Sequence, residues 1–369
     1  MRSRFLLAAA AVGGLALLTG CTTGADQAAE QPAAASAEEL TGTVTMLLPN
    51  TTTTRFIEHD APAFVEAMGE LAPGVTVDIV NAEGDAARQL TQAETAISQG
   101  TKAIVFVSAD PALSGSVLAK ASDALIPVIG YEHEALDGPV EYQVIFDPFK
   151  VGAAQGTYFG GHLPTTATPV KVARVYGNNG DNYTTQVKAG QDETLDGLVA
   201  DGKVEVVCED YAAGWDPANA QKIVEQCLTK TQNQIDAVLV SNDGTASGAI
   251  AALEGQNLGG TVPVYGGQDA NLDGLKYILQ GKQQDTVFKD YAIEGQSAAE
   301  LVLAALLKED PPSGLVNDVF DNNAEEVPAA FLDVESIDAE NMQTVVDAGL
   351  YTKEEICEGL TGVAFCDAP

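Results

Sequence analysis

The sequence predicts an α/β protein of two doubly wound parallel-sheet lobes, and three observations carry that expectation. Short apolar runs alternate with longer amphipathic stretches, the pattern of parallel strands covered by helices. About 325 residues follow the N-terminal leader, more than one compact core usually holds. The alternation then starts again at Phe146-Asp147-Pro148, where Asp suits a helix N-cap and Pro the first helical position.

The first series opens with the strand VTMLL (44–48), followed by a helix over 55–71, a strand VTVDIV (75–80) and a helix over 86–99. AIVFVS (103–108) reads as a buried strand, 114–124 as a helix and PVIGY (127–131) as the fourth strand. In the second series a helix over 151–163 precedes the strands KVARVYG (171–177), VEVVCE (204–209), AVLVS (237–241) and VPVYGG (262–267), with helical text between them. The expected lobes are 41–147 plus 264–291 and 148–263 plus 292–369.

Ahead of them, Arg2 and Arg4 precede an apolar stretch at 5–18, too short for a membrane span and arranged as a secretory signal over 1–20. Leu18-Thr19-Gly20-Cys21 resembles the lipobox of bacterial lipoproteins, which implies cleavage before Cys21 and lipid on its thiol. Residues 21–40, rich in Ala, Thr, Gln, Glu, Ser and Pro, lack the apolar side chains a core needs and are expected to form a flexible tether. The chain is thus expected outside the cell, anchored to the outer face of the membrane.

Composition excludes several functions. Against 53 Asp and Glu stand 18 Lys and Arg, a formal charge of -35 that repels nucleic acid. Neither GxSxG, HExxH nor GxxxxGK[ST] occurs, and the three His, at 59, 133 and 162, are scattered, so no enzyme and no cofactor are expected. DANLDG (269–274) opens like a calcium loop, but its twelfth position is Gln280 rather than Glu, and no metal is expected. With Cys21 lipidated, four Cys remain in an oxidising compartment, and bridges Cys208–Cys227 and Cys357–Cys366 are expected.

In doubly wound sheets ligands bind beyond the carboxyl ends of the strands. Those positions are 51–56, 131–134, 178–183, 211–216, 241–243, 268–269 and 288–290, rich in Asn, Asp, Gln, Arg, Lys and aromatics. Amides, carboxylates and guanidinium bridge adjacent hydroxyls, and aromatic faces cover C–H surfaces, a mixture suited to a small hydroxylated ligand. Several of these positions also suit helix N-caps, Asn182, Asp243 and Asp269 among them.

The segments GDNYTTQVKAGQ (180–191), GWDPANAQKIVEQCL (214–228), IDAVLVSNDGTASGAIAAL (235–253), GGQDANLDGLKYILQGKQQDTVFKD (266–290) and YTKEEI (351–356) resemble the type I periplasmic sugar-binding proteins of ABC importers, in the xylose and multiple-monosaccharide branch. The resemblance implies two lobes joined by a three-crossover hinge, closing on a monosaccharide that a membrane permease receives, and a monomer. It further implies that Arg55 hydrogen-bonds the ligand, that Phe56, where the family usually has Trp, stacks on it, and that Asp181, Asn182, Trp215, Asp243, Asp269 and Lys289 contribute. After the fourth strand the family commonly shows Tyr-Asp-Arg, whereas this chain has Tyr131-Glu132-His133. Glu132 and His133 are therefore expected at the ligand with a different reach and donor count. A sensory lipoprotein, or a binder of a nucleoside or polyol, would carry the same features.

Overall fold

A chain with two runs of buried apolar strands must cover both faces of each sheet, and it does so in two lobes. The structure, a computed structural model, describes residues 36–165 and 168–367. The expected signal, Cys21 and most of the expected tether lie outside them. Thirteen strands are present among the described residues: β1 (Gly42–Leu48), β2 (Val75–Asn81), β3 (Ala103–Phe106), β4 (Val128–Tyr131), β5 (Tyr142–Phe146), β6 (Val170–Tyr176), β7 (Val204–Tyr211), β8 (Ala237–Val240), β9 (Val264–Gly266), β10 (Thr286–Phe288), β11 (Asp318–Asp321), β12 (Glu326–Leu332) and β13 (Glu335–Ile337).

The first sheet has the order β11-β12-β5-β4-β3-β1-β2 and is parallel except for the β11–β12 hairpin. The second, β7-β6-β8-β9, is wholly parallel. β10 and β13 form a small antiparallel pair. Every residue of β3, β4 and β8 is buried, as both-face coverage demands, so these strands read as unbroken apolar runs.

Two expectations are corrected. The expected lobes place 264–291 in the first and 292–369 in the second, but β9 pairs with β8 in the second sheet, while β11 and β12 complete the first. Helix Tyr291–Leu307 likewise buries Ala298, Leu301 and Val302 in the first lobe's core. The chain crosses between lobes after β5, after β10 and after β12, and only residues from β13 onward return to the second lobe. The expected tether also ends early. Ala37–Glu39 forms a 3-10 turn, and Ala37 and Leu40 pack on the first-lobe core.

Local chemistry fixes the strand ends. Asp85, Asp147, Asp181, Asp216, Asn242 and Asp290 each accept backbone N–H bonds at the start of a helix. The expected helix at 55–71 is split: a π-turn over Phe56–Asp60 precedes the α-helix Ala61–Leu71. Pro62 lies at that junction and has no N–H to continue the α-helical ladder. Of the four remaining Cys, 208 and 227 have Cα atoms 5.9 Å apart, and 357 and 366 have theirs 5.5 Å apart, so the fold brings the two expected pairs together.

Candidate functional site

The carboxyl ends of both parallel sheets face one crevice. From the first lobe, the turn after β1 supplies Thr53, Arg55 and Phe56, and the end of β4 supplies Glu132 and His133. From the second come Tyr183, Trp215, Asn242, Gln268 and Asp269, and Lys289 follows β10 at a crossover. These residues enclose 20 Å³, room for a water molecule and not for a sugar ring. Larger spaces adjoin it. One of 510 Å³ shares Thr53, Arg55, Asn242 and Asp269, and one of 860 Å³ shares His133 and Trp215.

Arg55 is the hub of the floor. Its Nε and Nη2 donate to both oxygens of Asp60 at 2.8 and 2.7 Å, Nη1 donates to Glu132 at 2.7 Å and Nη2 to Glu294 at 2.6 Å. Asp269 stands 3.7 Å away, and the guanidinium lies 4.3 Å from the Tyr291 ring centre. Only 2 % of Arg55 is exposed. Burial disfavours its charge, but Asp60 and Glu132 outweigh burial and hold its pKa well above the ordinary value. Lys289, 1 % exposed, donates to Glu132 and to the Tyr183 hydroxyl at 2.7 Å, with Asp269 at 3.5 Å. Tyr183 in turn donates to Gln268 at 2.7 Å.

This ionic web shuts the crevice by joining the lobes. Lys289 reaches Glu132 on one lobe and Tyr183 on the other, the Asn182 amide donates to Glu134 at 2.7 Å, and His59 meets the Tyr351 hydroxyl at 2.9 Å. The carboxyls answer to different surroundings. Burial raises Glu132, but Arg55 and Lys289 overcome it and bring the group down to about 2. Glu134 lacks such a cation, and burial, helped by Asp181 and Glu132, lifts it to about 7 against the opposing Asn182 bond. Two buried polar atoms at the pocket, Glu132 Oε2 and Trp215 Nε1, have no partner among the described residues. A buried group left so costs about 1–3 kcal/mol, which a water or a ligand atom in the pocket would relieve.

Seven of the ten expected residues meet here: Arg55, Phe56, Glu132, His133, Trp215, Asp269 and Lys289. Three do not. Asp181 caps helix Asn182–Ala200 and borders the 860 Å³ space, and Asn182 ties the lobes through Glu134. Asp243 turns inward, accepting from the Asn271 N–H at 2.9 Å and from Gln283 at 2.8 Å, which pins the loop carrying Asp269. Thr53, Tyr183, Asn242 and Gln268 belong to the pocket without having been singled out. All four lie in the strand-end segments, and Asn242 sits beside Asp243, but no local signal told pocket from cap or core.

Residues 44–310 match the family described as "Periplasmic binding protein domain". The chain belongs to that family. Among relatives, this binding protein is 31% identical over 306 residues to the D-xylose-binding periplasmic protein of Escherichia coli (strain K12), spanning 81% of this chain and 88% of that one. To the multiple sugar-binding periplasmic protein of Azospirillum brasilense it is 32% identical over 366 residues, 95% of this chain and 97% of the other. A solved ABC transporter solute binding protein from Clostridium phytofermentans with bound beta-D-glucose shares 28% identity at a TM-score of 0.75, covering 85% of this chain and all of that one. The expected branch and the two-lobed fold are those found.

Proposed function

We propose that this chain is the monosaccharide receptor of an ABC importer, taking an aldopentose or aldohexose between its lobes and handing it to a membrane permease. The observation that carries this reading is the convergence of Glu132, Trp215, Asn242, Asp269 and Lys289 from both lobes and a crossover on one pocket, two of whose polar atoms have no partner. The names of the relatives point the same way. A sugar does not fit the shut crevice, so binding proceeds from an opened form in which the lobe-bridging bonds are exchanged for bonds to hydroxyls, and closure follows from tighter binding to the closed state. The signal and lipobox text support export and anchoring through Cys21, the excess of acid keeps the exported monomer soluble, and the paired Cys support disulfides at 208–227 and 357–366.

The test is calorimetric titration of D-xylose and common aldohexoses into chain recovered from the membrane fraction of an expressing bacterium, beside the Asp269→Ala variant. One sugar should bind at micromolar level or tighter, and the variant should lose at least about tenfold, the measure of a hydrogen bond to a charged group. No binding by any sugar removes the assignment, unchanged affinity in the variant removes Asp269 from the site, and a wholly soluble product removes the anchor.

A further inference from the structure

Both cations of the crevice are already engaged by protein carboxylates. Arg55 directs its donors at Asp60, Glu132 and Glu294, and Lys289 is committed to Glu132 and Tyr183 with Asp269 beside it. Among the described residues, the pocket and the two spaces beside it are lined by no other Lys or Arg, whereas carboxyls line all three. His133 lines the pocket beside them, and its Nδ1 lies 3.0 Å from the Ser108 carbonyl. A carbonyl oxygen only accepts, so Nδ1 carries a proton. A ligand therefore meets an acceptor at the unpartnered Glu132 Oε2 and a donor at the Trp215 N–H.

We propose that the crevice selects by charge, taking neutral sugars and excluding sugar acids, because its carboxyls outnumber its Lys and Arg and leave neither cation uncommitted. This rests on the sugar-receptor reading and sharpens it. A ligand carboxylate would find no free Lys or Arg and would face Glu132 and Asp269. Like charges brought together in a desolvated interface weaken binding by at least about a hundredfold. A hydroxyl or a neutral amide of the same size would donate instead.

The experiment titrates D-glucose and D-galactose, each with its uronate and its uronamide, and D-xylose, into wild-type and His133→Arg protein. The uronamide has the size of the uronate without its charge. We expect at least one neutral hexose or uronamide to bind, its uronate to bind about a hundredfold more weakly, and His133→Arg to narrow that gap tenfold or more by adding an unengaged guanidinium. A uronate within tenfold of its uronamide overturns the proposal, and so does a gap that His133→Arg leaves unchanged. Binding of D-xylose alone makes size the criterion and overturns it while leaving the receptor reading in place. Binding of no sugar at all overturns both.

Discussion

Arg55 shows what a single residue does here. Its guanidinium lies within 3.7 Å of four carboxylates, Asp60, Glu132, Asp269 and Glu294, and Tyr131 donates to Asp60 at 2.7 Å from below. Removing one member of a buried ionic set leaves the others uncompensated, which costs about 3–5 kcal/mol. Arg55→Met keeps the aliphatic volume and removes the charge. Urea unfolding should show a loss of that size, and a loss under about 1 kcal/mol would mean that the carboxylates are solvated or protonated without cost. The family resemblance implies Arg55 as a ligand contact. Its partners at 132, 269 and 294 are far along the chain, and only folding shows that its donors are largely engaged by the protein itself.

Among the elements, one helix pair positions Tyr183 on the second lobe's side of the site. Helix Pro148–Gly161 lies against helix Asn182–Ala200 so closely that a Cβ on Gly152 would stand 1.9 Å from the Val187 carbonyl, and one on Gly190 would stand 2.1 Å from that of Phe149. The first turn of the second helix presents Tyr183, whose hydroxyl accepts from Lys289. Gly152→Ala should therefore force the helices apart, lowering stability by about 1–3 kcal/mol and weakening sugar binding as Tyr183 shifts. Gly197 on the same helix has nothing within 4 Å of its added methyl, so Gly197→Ala should be neutral or add up to about 1 kcal/mol. Equal melting temperatures for the two variants would refute the packing account. The helix start at Asp147 was legible because a cap is a contact between near neighbours, whereas the caps expected at Asn182, Asp243 and Asp269 fall on the nearby Asp181, Asn242 and Asn271. β11 and β12 were not legible: β11 is four residues long, DVFD, and pairs only with β12, while β12 is interrupted by Pro328 and finds its other partner at residues 143–146, far back in the chain.

In the whole molecule, buried carboxyls set how stability follows pH. Burial raises Asp285 to about 8, and burial with Asp269 raises Asp243 to about 7, while Glu134 stands at about 7 and Glu294 is also raised, by burial and then by Glu132. A carboxyl whose folded pKa exceeds its unfolded value binds its proton more tightly when folded. Its stabilisation is complete below the unfolded value near 4 and is lost as pH rises through about 7 to 8. Glu132, lowered to about 2, has the opposite sign and loses its contribution only as pH falls below about 4. The melting temperature should thus be highest near pH 5 and fall by several degrees toward pH 8, in the same direction as repulsion among the ionised acids of a chain at -35. Asp285→Asn, the isostere of the protonated acid, should flatten that decline. A melting temperature that rises from pH 5 to pH 8 would reverse the argument.

By itself the sequence determined what depends on near neighbours and on periodicity: two series of buried parallel strands, the cap at Asp147 that opens the second, and the strand-end segments that hold every pocket residue. Tertiary structure alone decided which lobe each late segment joins, because β9 and β12 find their partners through sheet edges that no local pattern encodes. It also decided that Asp243 braces a loop and that Arg55 and Lys289 face inward to carboxylates. Charge pairing in a low-dielectric crevice depends on distances between residues up to 239 positions apart, and those distances exist only once the chain has folded.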